Sequence, residues 1–135
     1  MRSAILLACV PLALLSCSIK GSPDMSPIQT ITEAHAGSVV ETHTGELLAV
    51  CLNENPSTGF RWTLEGEPRL FVVEDNRYTA ASAGVGSGGQ ECWTLRAKQP
   101  GQEAIAFRLW RHWEGDRSIV KRVEFRASVS VPVGE

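Results

Sequence analysis

The chain has 135 residues, 13 Lys and Arg against 15 Asp and Glu, a formal charge of −2, 43% hydrophobic residues and four cysteines. So balanced a charge, with its Arg and Lys scattered, excludes a nucleic-acid binder, and the length suits one domain built on a single core. His35, His43 and His112 have no spacing that suits a zinc site or a catalytic triad, so the sequence gives no reason to expect an enzyme, a metal or another cofactor.

At the N-terminus, residues 1–16 carry one positive charge, Arg2, followed by an apolar run from Ala4 to Leu15. The run is shorter than the roughly 20 residues that span a bilayer and reads as an export signal. Leu14-Leu15-Ser16-Cys17 resembles a bacterial lipobox, in which a small residue precedes a cysteine whose thiol takes a diacylglycerol before cleavage frees its amine for another acyl chain. Several acyl chains anchor stably where one does not. Because Leu15 is bulkier than the usual occupant, an ordinary secretory signal cut nearby is the alternative. Either way the domain is expected to be exported. With Cys17 lipidated it is held on the bacterial envelope, and Ser18 rather than Asp points to the outer membrane. Residues 17–27 then form a polar tether with two prolines and a glycine. Residues 28–135 form the domain, and once residues 1–16 are set aside 12 bases face 15 acids, a charge of −3.

Strand patterns follow at 28–32, 39–42, 46–52, 60–64, 70–73, 92–97, 105–109 and 123–131. The last is the clearest: Val123, Phe125, Ala127, Val129 and Val131 alternate with polar residues, a period of two with one wet face. No helical period competes. About eight short strands separated by turn residues predict an all-β, immunoglobulin-like sandwich, with Trp62 filling its centre.

Cys9 leaves with the signal and Cys17 takes lipid, so Cys51 and Cys92 are the remaining thiols in an oxidising compartment. Leu48, Val50 and Leu52 set one face of their strand and Trp93, Leu95 and Ala97 one face of theirs, so both cysteines point outward. If the strands are neighbours the pair bridges across the outer surface. If they are not, two separate thiols remain.

Three connections have chemical character. Asn55-Pro56-Ser57-Thr58-Gly59-Phe60 is a stiff polar turn: Pro fixes one φ, Gly59 permits a positive one, and Ser and Thr can bond the local backbone. Gly86-Ser87-Gly88-Gly89 has no following helix or Lys, so it is no phosphate loop; its glycines let backbone approach a partner closely. Arg111-His112-Trp113-Glu114 carries the residue types that dominate binding energy. By parity, Trp110 just before it leaves the core face. In a sandwich, loops after every second strand gather at one end, so these three are expected to form one surface.

In their order, the three segments resemble the chagasin-type inhibitors of papain-like cysteine peptidases, which carry Asn-Pro-Thr-Thr-Gly, Gly-x-Gly-Gly and Arg-Pro-Trp loops. The resemblance runs from about Gly37 to Val131, with Ser57 in place of Thr and His112 in place of Pro. Arg108-Leu109-Trp110 is an alternative register for the third loop, but Glu114 and the distance from Gly101 favour Arg111 to Trp113. The resemblance implies a reversible, tight-binding monomeric inhibitor with no chemistry of its own, whose partner is the peptidase. Asn55, Pro56, Ser57, Thr58 and Gly59, followed by Phe60, would enter the cleft, with the Thr58 hydroxyl nearest the reactive centre. Gly86, Ser87, Gly88 and Gly89 would pair by backbone on one wall, and Arg111, His112 and Trp113 would anchor the other. Fold alone would equally host an exported immunoglobulin-like binding or assembly module without inhibitory activity.

Overall fold

The computed structural model of the protein describes residues 28–81 and 88–133; Cys17, Gly86 and Ser87 lie outside the described residues. Eight strands appear in chain order: β1 (Ile28–Ile31), β2 (Val39–His43), β3 (Leu47–Glu54), β4 (Arg61–Leu64), β5 (Phe71–Ala80), β6 (Gly89–Ala97), β7 (Gly101–Trp110) and β8 (Lys121–Ser130). Short 3₁₀ turns stand at Glu33–His35, Pro56–Thr58, His112–Glu114 and Asp116–Ser118. The strands build two four-stranded sheets, in the orders β1-β3-β6-β5 and β2-β8-β7-β4. β1 runs parallel to β3 and β2 parallel to β8, and all other neighbours are antiparallel. This is the all-β, immunoglobulin-like sandwich predicted from the alternation.

The alternation also explains the core. Leu48, Val50 and Leu52 of β3 and Trp93, Leu95 and Ala97 of β6 face inward from the first sheet. Opposite them lie Ile105 and Phe107 of β7 and Val123, Phe125, Ala127 and Val129 of β8. Each Val, Leu, Ile or Phe side chain among them, taken from water, stabilises the fold by roughly 1.5 to 3 kcal/mol. Trp62 is buried as expected, but it lies at the end of the core below the first loop. The aromatic contact that spans the two sheets is Trp93 against Phe107, with ring centroids 4.7 Å apart.

Several strands run further than their apolar patterns. β5 was expected to stop at Val73 but continues through Asp75-Asn76-Arg77-Tyr78-Thr79-Ala80, because pairing with β6 carries it where its own side chains bury little. A bulge at Glu74, between the pairs Val73–Leu95 and Asp75–Thr94, shifts the parity and hides the strand from a period-two reading. β6 likewise begins at Gly89, before its apolar run, and β7 at Gly101.

Cys51 of β3 stands directly opposite Cys92 of β6, and the two are joined by a disulfide on the outer face of the first sheet. The bridge closes a sequence separation of 41 and so removes loop entropy from the unfolded chain. Replacing both cysteines by alanine should lower stability by about 2 to 4 kcal/mol. Urea unfolding with and without reductant reads the loss, and identical midpoints would remove this role for the bridge.

Candidate functional site

The β3–β4 and β7–β8 connections lie at one end of the sandwich, where β5 ends at Ala80 and β6 begins at Gly89. The first must cross from one sheet to the other, since β3 and β4 belong to different sheets. Two hydrogen bonds clamp its ends where no ladder does. The Trp62 N–H donates to Glu54 Oε1 at 2.7 Å, and the Trp62 indole Nε1–H donates to the Asn53 carbonyl at 2.8 Å.

Between the clamped ends the loop coils. Asn55 caps the Pro56–Thr58 turn, its Oδ1 accepting from the Ser57 N–H at 3.2 Å and the Ser57 hydroxyl at 2.7 Å. Pro56 takes the first turn position, where a missing N–H costs nothing. The Thr58 hydroxyl donates to the Asn55 carbonyl at 2.8 Å and accepts from the Phe60 N–H at 3.3 Å. Gly59 closes the turn at φ 80°, its N–H donating to the Pro56 carbonyl at 3.1 Å. The carbonyls of Asn55, Pro56 and Thr58 are thus all engaged within the protein, the last by Arg111 Nη2 at 3.0 Å.

Arg111 is what joins the first loop to the third. Besides that bond, its guanidinium lies 4.3 Å from the Phe60 ring centroid and 3.6 Å from the Glu114 carboxylate. The third loop is secured below by the buried Ser118 hydroxyl, which accepts the Arg111 N–H at 3.0 Å and donates to the Gly115 carbonyl at 2.7 Å. His112 takes the first position of its 3₁₀ turn, a place that Pro also fills, and its ring meets Trp113 edge-on at 5.1 Å. Trp113 stays 62% exposed, with the rim of its ring against Gly59. Trp110, the candidate of the alternative register, is occupied on its own sheet: Nε1–H donates to Thr63 Oγ1 at 3.0 Å and Arg108 lies 3.9 Å over its ring.

Of the second loop, Gly88 and Gly89 are described. Gly88, at φ 70°, abuts the base of the first loop, for a Cβ there would sit 3.3 Å from the Glu54 carbonyl oxygen. Gly89 is the first residue of β6, paired with Glu54 on one side and Ala80 on the other, and the Thr79 carbonyl and Tyr78 hydroxyl fill the space of its absent side chain. The end of the sandwich therefore brings together Asn55 to Phe60, Gly88, Gly89 and Arg111 to Trp113. Between the first and third loops a cavity of about 600 Å³ is lined by Phe60, Leu109, Arg111 and Val120 among others.

The sequence reading missed the support beneath this surface. Glu54 and Glu91 occupy inward positions, continuing the Leu48-Val50-Leu52 and Ala97-Leu95-Trp93 faces, so an acidic residue at a core parity was the available signal. Both are buried, at 4% and 7% exposure. Burial pushes the Glu54 carboxyl above the usual carboxylate range and the Glu91 charge adds to this, against the opposing pull of the Trp62 N–H and Arg61.

Gly59 answers two demands at once, a left-handed backbone and contact with Trp113, since a Cβ would lie 3.1 Å from the ring. Gly59→Ala should therefore cost roughly 1 to 2 kcal/mol from the backbone alone and displace the Trp113 ring. Urea unfolding and the Trp113 indole resonance measure the two effects. Unchanged values for both would contradict this account of the loop.

Residues 41–129 match the model of the chagasin family peptidase inhibitor I42. Chagasin of Trypanosoma cruzi is 33% identical over 91 residues, which cover 63% of this chain and 83% of chagasin. The cysteine protease inhibitor EhICP2 of Entamoeba histolytica shares the fold at a TM-score of 0.67 and 20% identity, over 76% of this chain and 94% of its own. PbICP-C, solved in complex with falcipain-2, shares it at a TM-score of 0.51 and 16% identity, over 82% of this chain and 95% of its own. With the family model matched over more than half of its length and most of chagasin aligned to it, the chain belongs to the chagasin family of peptidase inhibitors.

Proposed function

We propose that the protein inhibits papain-like cysteine peptidases reversibly by filling the catalytic cleft with its three clustered loops. The observation that carries this reading is the first loop: an exposed projection clamped at both ends, whose coiled backbone engages its own carbonyls. A peptidase cleaves an extended segment whose carbonyl reaches the nucleophile in line. This loop offers no such segment, so it occupies the cleft without being turned over. Thr58 stands at the tip, nearest the reactive centre. Gly86, Ser87, Gly88 and Gly89 pair by backbone with one wall. Arg111, His112 and Trp113 meet the other wall, and the exposed Trp113 ring supplies the large apolar contact. The first and third loops, hydrogen-bonded within the free protein, lose little entropy on binding, which favours tight association through an interface of about 1,600 Å². The match to chagasin and the fold shared with EhICP2 and PbICP-C support the peptidase class.

The location belongs to the same proposal. Residues 1–16 direct export, Cys17 takes lipid, and residues 18–27 tether a monomeric inhibitor domain to the bacterial envelope. The disulfide between Cys51 and Cys92 suits that oxidising compartment. Cys17→Ser should move the protein from the membrane fraction to the soluble one, and an unchanged distribution would overturn the lipid anchor.

The inhibitory reading is tested by titrating the protein against papain, a serine peptidase and a metallopeptidase. Inhibition of papain alone is expected, whereas an exported binding module would inhibit none of them. Trp113→Ala should weaken inhibition of papain by about 2 kcal/mol, close to thirtyfold, because an exposed aromatic anchor loses its buried area in the complex. Its melting temperature should stay near that of the parent, since the ring is exposed in the free protein. Unweakened binding by this variant would remove the third loop from the interface.

A further inference from the structure

Two carboxyl groups lie buried under the inhibitory loops, and of their four oxygens the clamp on the first loop uses only Glu54 Oε1. Glu54 ends β3 just before Asn55, and Glu91 points inward from the neighbouring β6. Their inner oxygens are satisfied: Glu54 Oε1 accepts the Trp62 N–H at 2.7 Å and Glu91 Oε1 accepts Asn76 Nδ2–H at 2.6 Å. Their outer oxygens are not. Among the described residues neither Oε2 atom finds a donor, although both are buried; Glu91 stands opposite Leu52, so the two carboxyl groups are diagonal neighbours on one inward face with Arg61 within 4 Å of each. Two ionised carboxylates have only acceptors to offer, and a proton held between them would turn one into a donor.

The other groups around the pair do not supply it. Arg61 of β4 approaches both, at 3.8 Å from Glu54 and 3.9 Å from Glu91, distances too long for hydrogen bonds. Asn76 of β5 is neutral and of the two reaches Glu91 alone, and Tyr78, opposite Glu91 on the same strand, turns its hydroxyl to Gly89 instead. Arg111 lines the same cavity as Glu54, but its Nη2 is bound to the Thr58 carbonyl and its guanidinium lies against Glu114 and Phe60, and its buried Nε–H, also without a partner, bonds neither glutamate. Glu33 bonds the Asn53 N–H and adds a further negative charge nearby. One guanidinium balances one charge, and a buried carboxylate left unbalanced is costly.

We propose that Glu54 and Glu91 share one proton, and that this singly protonated pair is a positioning element that holds the first loop in its binding conformation. Loss of the proton places two negative charges side by side at the foot of the loop. Glu54 is then driven away from Glu91, its bond to the Trp62 N–H weakens, and the loop ends part. The raised affinity of Glu54 for its proton agrees with this arrangement. The sign follows: between the ordinary carboxylate range and the raised value the folded state holds more protons than the unfolded one, so stability is lost as pH rises across that interval. The effect on inhibition rests on the function proposed above and has the same direction, with tighter binding on the acid side.

The test uses the full chain, its Glu91→Gln variant and its Glu54→Gln variant from pH 4 to 9. In wild type one glutamate carboxyl ¹³C resonance should titrate above the ordinary range. The melting temperature and the hydrogen-exchange protection of the Trp62 amide, corrected for intrinsic rate, should fall across the same interval. Either Gln variant puts a permanent N–H donor between the two groups and should flatten both profiles, so one variant suffices if the other does not fold. With papain as the probe, the wild-type Kd divided by that of the Gln variant should rise with pH by at most about tenfold per unit, the ceiling for one linked proton. Titration of every carboxyl in the ordinary range, or Gln variants that keep the wild-type profile, would overturn the proposal. Failure to inhibit papain at any pH would instead overturn the inhibitory reading, leaving the resonance, melting and exchange data to decide whether the proton is shared.

Discussion

The binding surface depends on one reciprocal contact, in which Glu54 holds the backbone of Trp62 and the Trp62 indole holds the backbone of Asn53. β3 and β4 are consecutive in the chain but lie in different sheets, so no ladder fixes the distance between the ends of the connection. Without the contact, a six-residue loop joining two sheets would be free to splay. With it, the loop starts and ends at atoms set by the core, because Trp62 is itself buried. Core packing is thereby passed to an exposed tip through two hydrogen bonds.

Above that contact, rigidity comes from small polar groups rather than from bulk. The Thr58 hydroxyl and the Asn55 side chain each bond the loop's own backbone or side chains, and Arg111 reaches in from the third loop to the Thr58 carbonyl. An apolar loop of this size would need covering, which would hide it from a partner. Polar side chains bonded inward leave the outside available. Gly59 and Trp113 follow the same logic, since a residue without a side chain lets the large ring rest against the turn while most of it remains exposed.

The sandwich was legible wherever an apolar residue recurred at every second position. Val123 to Val129 and Leu48 to Leu52 define their strands without help, and the parity of Leu48 to Leu52 and of Trp93 to Ala97 put Cys51 and Cys92 on the outer face. Legibility failed where pairing rather than burial makes the strand. The distal half of β5 is held by β6 and displaced in phase at Glu74, and Gly89 reads as loop although it is paired on both sides. At the functional end, the three loops stood out because Pro, Gly, Trp and Arg constrain or advertise a turn. Their gathering at one end was expected from the alternation of connections, but the bond from Arg111 to Thr58 and the acidic pair beneath were not legible. Each joins residues far apart in sequence, and no local pattern records which distant atoms meet. Glu54 and Glu91 were the exception in principle, because a charged residue at an inward parity breaks the alternation that predicts the strand.

The bulge in β5 bears on how copies of this protein behave near one another. Each sheet of an open sandwich ends in two strands with unpaired backbone, ready templates for another chain. Here β1, β2 and β4 are only four or five residues long, too short to recruit much. β5, at ten residues, is the long exception. It is also the strand bent at Glu74, where Arg96 pairs with the displaced glutamate, and it carries Asp75 and Arg77 immediately beyond. A kinked and charged border cannot align with a straight copy of itself. The long margin of the sandwich thus carries a bulge and charged side chains, the devices that disfavour edge-to-edge pairing between copies.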